Sequence, residues 1–281
     1  MSLWYTMMNV IRSVKLFVNK NFEIHICHHS DNGIRFNYLK NKFTGYDFYF
    51  ETSFHPTQIE EHGIATYLGD NEWWNLFSKK LIKQFHLVNL FHVPNDFISK
   101  LESVFNFIFN RNTFERHTSI GQLSLILKHD QSIRNFLKSN YSYALIIEDD
   151  AIISVDALDR LNLLLGEVKD LPFSKSPLYL DVGEGARMSL SSLIFMNKRI
   201  LKNVYKMKMK ACRTTCAYVI NRTFANKWVS EFNNSTFPSD FIGSDFLMSG
   251  FLSYFDVNVL WAHPSYISHG SENGSWISNF N

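Results

Sequence analysis

The chain has 281 residues, 46% of them apolar and 19% charged, with a formal net charge of +2. Such a composition supports a full hydrophobic core and excludes an intrinsically disordered chain. The near-neutral charge leaves no footprint for nucleic acid, and no nucleic-acid partner is expected.

The first segment, residues 3–18, is partly apolar but interrupted by Arg12 and Lys15, and it lacks the small-residue cleavage site of a signal peptide. It reads as a packed first helix, with an amphipathic helix on a membrane surface as the alternative. No apolar run approaches the roughly 20 residues of a membrane span. Residues 22–28 alternate around Ile24 and Ile26 as a strand, His28-His29-Ser30-Asp31-Asn32-Gly33 is a polar turn, residues 34–43 read as a helix, and 46–50 as a second strand. Strand–helix–strand is the building block of a parallel sheet. Asp70 and Asn95 are suited to cap two helices with apolar residues three and four apart: Trp73, Trp74, Phe77, Leu81 and Ile82, then Phe97, Leu101, Val104, Phe105 and Ile108. These helices form an insertion over about residues 70–110 that packs on the core or offers a homodimer surface.

Residues 121–138 read as a third long helix feeding a strand at 143–147, and residues 178–182 as another strand. Lys198, Arg199, Lys202, Lys206, Lys208 and Lys210 form a basic stretch, read as a solvated helix face, with anionic lipid or a charged glycan as alternative contacts. A strand at 216–220, helices at 223–232 and 244–254, a last strand at 257–261 and a polar, loop-like tail from Ala262 complete the chain. No repeat or long linker divides it, so one domain over residues 1–281 is expected. The three cysteines, Cys27, Cys212 and Cys216, are too few for a disulfide framework and point to a reducing compartment. Cys212 and Cys216 stand four apart with no second ligand pair nearby, and they read as buried thiols rather than a zinc site. The 16% aromatic content, with 26 Phe, fits a thick core or aromatic contacts to sugar or lipid.

The most informative run is Tyr143-Ala144-Leu145-Ile146-Ile147-Glu148-Asp149-Asp150: a buried strand followed at once by three carboxylates. Open α/β sheets bind ligands beyond the carboxyl ends of their strands. Clustered acids repel one another there, and burial sharpens the repulsion. A divalent cation relieves it, and oxygen ligands suit Mg²⁺ or Mn²⁺. Such a cation would hold a diphosphate, so the motif reads as a nucleotide-diphosphate site; a solvated acidic turn is the alternative.

Several segments together resemble glycosyltransferase family 25, the lipooligosaccharide sugar transferases. Thr118-Ser119-Ile120-Gly121-Gln122-Leu123, followed by Leu127-Lys128-His129, is similar to that family's helix opening, with Gln122 where the family carries an acid and Lys128 where it carries Ser. Tyr143–Asp150 matches its strand and acidic motif. Cys216-Ala217-Tyr218-Val219-Ile220 and Pro238-Ser239-Asp240 resemble later elements. The resemblance spans most of residues 22–274 outside the insertion. The family's Arg-rich first loop is here His28-His29-Ser30, with Arg35 remaining.

The resemblance implies an α/β, GT-A-like single Rossmann-type domain with a mostly parallel central sheet flanked by helices. It also implies a nucleotide-sugar donor, with UDP-sugar the first choice, a glycan or lipid-linked glycan acceptor, and Mn²⁺ or Mg²⁺ as cofactor. The metal would sit on Asp150. Glu148 would touch the ribose or a metal-bound water, and Asp149 would face the other way, because neighbouring residues on extended chain point to opposite sides. His269, in the tail, resembles a C-terminal metal histidine. Inverting transfer needs a carboxylate base; Asp240 carries the family match, while Asp245, near a helix start, and Asp181, at a strand end, are the other candidates. His28 and Thr52 lie at strand ends near the expected nucleotide pocket. His129 is a donor contact or a structural histidine bonded to the acidic strand. The expected activity is hexosyl transfer with inversion, retention being the alternative, in bacterial lipooligosaccharide, capsule or other surface-polysaccharide synthesis. The expected location is the cytoplasm, with the inner face of the cytoplasmic membrane as the alternative. A metal-dependent phosphoesterase and a non-catalytic glycan-binding relative are the competing readings.

Overall fold

The computed structural model describes residues 20–29, 32–77, 119–185, 198–208, 210–233, 236–239, 243–271 and 274–276. In chain order the elements are β1 (Phe22–Cys27), α1 (Gly33–Lys42), β2 (Phe48–Glu51), α2 (Pro56–His62), β3 (Leu68–Gly69), α3 (Ile120–Phe136), β4 (Tyr143–Glu148), β5 (Ala151–Ile153), α4 (Ala157–Lys169) and β6 (Leu178–Asp181). They continue with β7 (Lys198–Leu201), β8 (Val204–Lys206), β9 (Ala217–Asn221), α5 (Arg222–Glu231), β10 (Phe237–Pro238), α6 (Ser244–Tyr254), β11 (Asn258–Ala262) and β12 (Ile267–His269).

An 8-stranded sheet in the order β2-β1-β4-β9-β6-β11-β8-β7 forms the centre. Strands β2, β1, β4, β6, β11 and β7 run one way, and β9 and β8 run against them. The sheet is therefore mixed, with a majority direction, and the expected α/β class holds. Its central strands β4, β9, β6 and β11 are near-continuous apolar runs because both of their faces are covered. Alternate residues serve opposite cores: Ala144 and Ile146 join one cluster with Leu127, Ile133, Phe224, Trp228 and Phe251, while Leu145 and Ile147 join the other with Leu39, Phe43, Leu161 and Leu165. Helices α3, α5 and α6 thus cover one face, and α1 and α4 the other.

The aromatic excess goes into the first of these cores. The Trp228 ring centroid lies 4.6 Å from Phe232 and 4.8 Å from Phe251, and Trp73 packs 5.8 Å from Phe232. Trp73 and Trp74 ride on a helical segment at 72–77. The rest of the expected insertion, the N-terminal segment and Asp240 lie outside the described residues.

Two expectations change. The basic stretch is a β-hairpin at the sheet edge, with Lys198 paired to Lys206 across β7 and β8, and not a helix face. The stretch turns back on itself at Lys202-Asn203, so Lys198 and Lys206 face each other across two strands rather than along one helix. The tail after Ala262 is not all loop: Ile267–His269 forms β12, antiparallel to β5 with His269 opposite Ala151. No described helix is long and apolar enough to cross a membrane.

Candidate active site

Chain order reverses beside β1. Its neighbours are β2 on one side and β4 on the other, so the connection to β4 crosses over, and a crevice opens beyond the carboxyl ends of β1 and β4. A cleft of about 610 Å³ occupies that place, within the usual range for a small-molecule site. Cys27, His28 and His29 reach it from the end of β1, Glu148, Asp149 and Asp150 from the end of β4, and Thr214 and Thr215 from just before β9. The last pair arrives because β9 is antiparallel, which puts its start level with the carboxyl end of β4. The first turns of α3 (Gly121, Gln122) and α6 (Ser244, Asp245) form the facing wall. Helix N-termini carry partial positive charge and suit an anionic ligand.

The three acids have different roles. Asp149 turns toward the first loop. Its Oδ1 accepts from Arg35 Nη1 at 2.8 Å, and its Oδ2 accepts from His29 N at 2.8 Å and lies 3.0 Å from His28 Nδ1. Burial raises its pKa, but the hydrogen bonds of His28 and His29 and the Arg35 guanidinium outweigh that and hold it below the ordinary value. Asp149 thus ties β1, α1 and β4 together across the crevice. His28 lines the cleft but is engaged by this acid.

Glu148 accepts from Thr215 Oγ1 at 2.6 Å. Its Oε1 also lies 3.4 Å from His129 Nε2, an ion-pair distance rather than an aligned hydrogen bond. Burial opposes the charge on Glu148, yet His129 and Thr215 keep its pKa below normal. On His129 burial favours the neutral ring, and the Cys27 sulfur and then Glu148 override it, placing the pKa at about 10. His129 Nδ1 lies 2.9 Å from Tyr218 Oη. The ring is fully buried and does not line the cleft, so the structure places it behind the acidic strand, braced between Glu148 and Tyr218.

Asp150 is 6% exposed, and its Oδ1 is buried with no hydrogen-bond partner. Ser271 Oγ donates to Oδ2 at 2.5 Å, and His269 Nδ1 stands 3.3 Å from the same oxygen. Burial raises the Asp150 pKa and Glu148 adds to it, against the pull of His269 and Ser271. The β5–β12 pairing brings His269 there, and Gly270 N donates to Asp150 O at 2.9 Å. A Cβ on Gly270 would collide with that carbonyl oxygen and with the Trp276 ring, so the close approach requires glycine. One oxygen of Asp150, one nitrogen of His269 and the Cys216 sulfur lie within 4.8 Å of one another. An orphaned buried carboxylate oxygen beside an imidazole fits a divalent cation.

Asp245 lies in the first turn of α6. Gly243 is the N-cap and makes no side-chain cap bond, so Asp245 is not the capping residue. Its Oδ1 accepts from Thr215 N at 2.6 Å and lies 2.9 Å from Thr215 Oγ1. That hydroxyl has one proton and also faces Glu148. Burial, then the Glu148 charge, push Asp245 up to about 6, partly countered by Thr215.

Asp181 is fully buried and does not line the cleft. Arg213 occupies both its oxygens: Arg213 N donates to Oδ2 at 2.8 Å, and Nη2 and Nε donate to Oδ1 at 2.9 and 3.1 Å. Burial raises its pKa although Arg213 pulls it down. Thr52 is exposed and also stands outside the cleft. Sequence reasoning missed Thr215, the hydroxyl between two acids, because a single Thr has no spacing signature.

An open α/β sheet with a cleft at its carboxyl edge is the arrangement in which such folds bind small molecules. The family model for glycosyltransferase family 25 (LPS biosynthesis protein) matches residues 76–243, more than half of the chain, and the chain belongs to that family. It is a glycosyltransferase, with a sugar donor and an acceptor as its partners. No curated protein sequence matches it.

Proposed function

We propose that this glycosyltransferase moves a hexose from a UDP-sugar to a glycan or lipid-linked glycan acceptor of the bacterial surface, with a divalent cation, Mn²⁺ or Mg²⁺, and with inversion. The observation that carries the metal reading is the Asp150 carboxylate, whose buried Oδ1 has no hydrogen-bond partner while His269 Nδ1 stands 3.3 Å from its Oδ2. When bound, the cation would neutralise charge on the leaving nucleotide diphosphate. Asp150 and His269 would hold it. Asp149 keeps the first loop and Arg35 in place, and the N-termini of α3 and α6 favour the phosphates. Asp245 is the acceptor base: it lines the cleft and titrates at about 6, so it is ionised at neutral pH and close enough to that pH to take a hydroxyl proton. Asp181, locked by Arg213, has no free oxygen for this work.

A thermal-shift screen of UDP-, GDP- and CMP-sugars with and without Mn²⁺ tests the reading, because a ligand that binds the native state raises its apparent stability. A Mn²⁺-dependent shift with a UDP-hexose, absent in Asp150→Ala, is expected. No shift with any nucleotide sugar in either condition contradicts it.

A further inference from the structure

The sequence treats Cys216 as an inert buried thiol, but the fold sets its sulfur against two residues that line the cleft, Asp150 and His269. Cys216 is the residue before β9, fully buried, and its sulfur lies within 4.8 Å of ligand atoms on both Asp150 and His269. The three come from separate parts of the fold: the end of β4, the approach to β9 and the end of β12. The Asp150 side chain is 9% exposed and carries an oxygen with no partner, so the cluster holds a buried polar group that its neighbours leave unsatisfied. The other cleft acids are committed elsewhere, Asp149 to Arg35 and the first loop, and Glu148 to Thr215 and His129.

Resting on the metal reading above, we propose that Cys216 is the third protein ligand of the site, and that the site therefore selects a borderline transition metal, Co²⁺ or Zn²⁺, over Mg²⁺. An Asp–His pair alone, completed by phosphate and water, would suit Mg²⁺ or Mn²⁺. A thiolate is soft and changes that preference, because sulfur ligands favour zinc-like ions and carboxylate with water favours Mg²⁺. The geometry is close to what three ligands require. Bond lengths of roughly 2.0–2.3 Å to oxygen, nitrogen and sulfur put tetrahedral ligand atoms about 3.5 Å apart, and Asp150 Oδ2 and His269 Nδ1 already stand 3.3 Å apart. Cys216 is fully buried while Asp150 and His269 line the cleft, so an ion held by all three would be reached from the cleft side. Three protein ligands and one open position is the pattern of a catalytic rather than a structural site.

The test uses the full chain and the metals alone. Binding of Mg²⁺, Mn²⁺, Co²⁺ and Zn²⁺ is measured by calorimetry, and the Co²⁺ complex is read by absorbance. The expected result is tighter Co²⁺ and Zn²⁺ than Mg²⁺ binding by at least about 100-fold, with a thiolate-to-cobalt charge-transfer band in the near ultraviolet. In Cys216→Ser that band disappears and the Co²⁺/Mg²⁺ preference falls at least about tenfold, while Mn²⁺ still binds through Asp150 and His269. The wild-type spectrum is informative by itself if the variant does not fold: Co²⁺ bound without the band overturns the proposal. An unchanged Co²⁺/Mg²⁺ ratio in Cys216→Ser, with binding abolished in Asp150→Ala, overturns the cysteine ligand and leaves the metal reading standing. No binding of any of the four cations by the wild type overturns both.

Discussion

Asp245 should cost the fold stability in exchange for its chemistry, and Asp245→Asn measures that cost. Burial and the Glu148 carboxylate move its pKa from 3.8 to about 6. Because the folded value is raised, the native state holds this proton more tightly than the unfolded chain. The associated stability is fully present below about pH 4 and is lost as pH rises through 6. Each pH unit of displacement is worth about 1.4 kcal/mol, so the ionised carboxylate costs on the order of 3 kcal/mol at pH 7.5 and about half of that at pH 5. Asn keeps an Oδ1 that accepts from Thr215 N and Oγ1, the contacts Asp245 makes at 2.6 and 2.9 Å. The variant should therefore be more stable than the wild type by up to about 3 kcal/mol at pH 7.5, on the order of 5–10 °C in Tm for a chain of this size. The advantage should shrink as the pH falls to 5, and sugar transfer should be lost at every pH. Urea denaturation at both pH values, with a nucleotide-release assay alongside, reads all three. A variant no more stable than the wild type at pH 7.5, or one whose advantage is the same at pH 5, refutes the reasoning.

Asp149→Ala should lose about 3 kcal/mol in chemical denaturation, because Arg35 is 4% exposed and would lose its ion pair to Asp149; a loss under 1 kcal/mol would contradict the anchoring role. Arg213→Ala removes the guanidinium from the fully buried Asp181 and leaves only the backbone N–H of residue 213 on it, which should cost about 3–5 kcal/mol, checked by the same method; a near-neutral result would mean that Asp181 is not held as described. Gly270→Ala should disrupt the β5–β12 pairing and weaken Mn²⁺ binding at least about tenfold, since the new methyl meets the Asp150 carbonyl and Trp276. Unchanged Mn²⁺ affinity in calorimetry would show that His269 does not depend on that close approach.

Much of the fold was legible because its long elements carry strong periodic or continuous apolar signals. The β4 strand and its three acids, α3 and α6 lie close to where the sequence puts them, with α6 matching residue for residue. Other elements escaped for identifiable reasons. Helix α2 opens with an unusual capping box made by His55 and Gln58, and His is not among the usual capping residues. Strand β12 is three residues long in a polar tail, and only its pairing with β5, more than a hundred residues away, makes it a strand. Helix α4 carries an apolar stripe at helical spacing, Leu158, Leu161, Leu165 and Val168, so its existence is legible in the sequence. Within the site, the acidic motif, His269 and Asp245 were legible from residue type and position. That Asp181 is clamped by Arg213, that Thr215 sits between Glu148 and Asp245, and that Cys216 lies beneath Asp150 all depend on the antiparallel insertion of β9 between β4 and β6. No local pattern announces that strand's direction.

The most direct test of the account is calorimetric titration of UDP into the protein with and without Mn²⁺, repeated on Asp150→Ala and His269→Ala. The account predicts UDP binding that requires Mn²⁺ and is lost in Asp150→Ala and weakened at least about tenfold in His269→Ala. UDP binding of equal strength without metal, or unchanged in both variants, would contradict it.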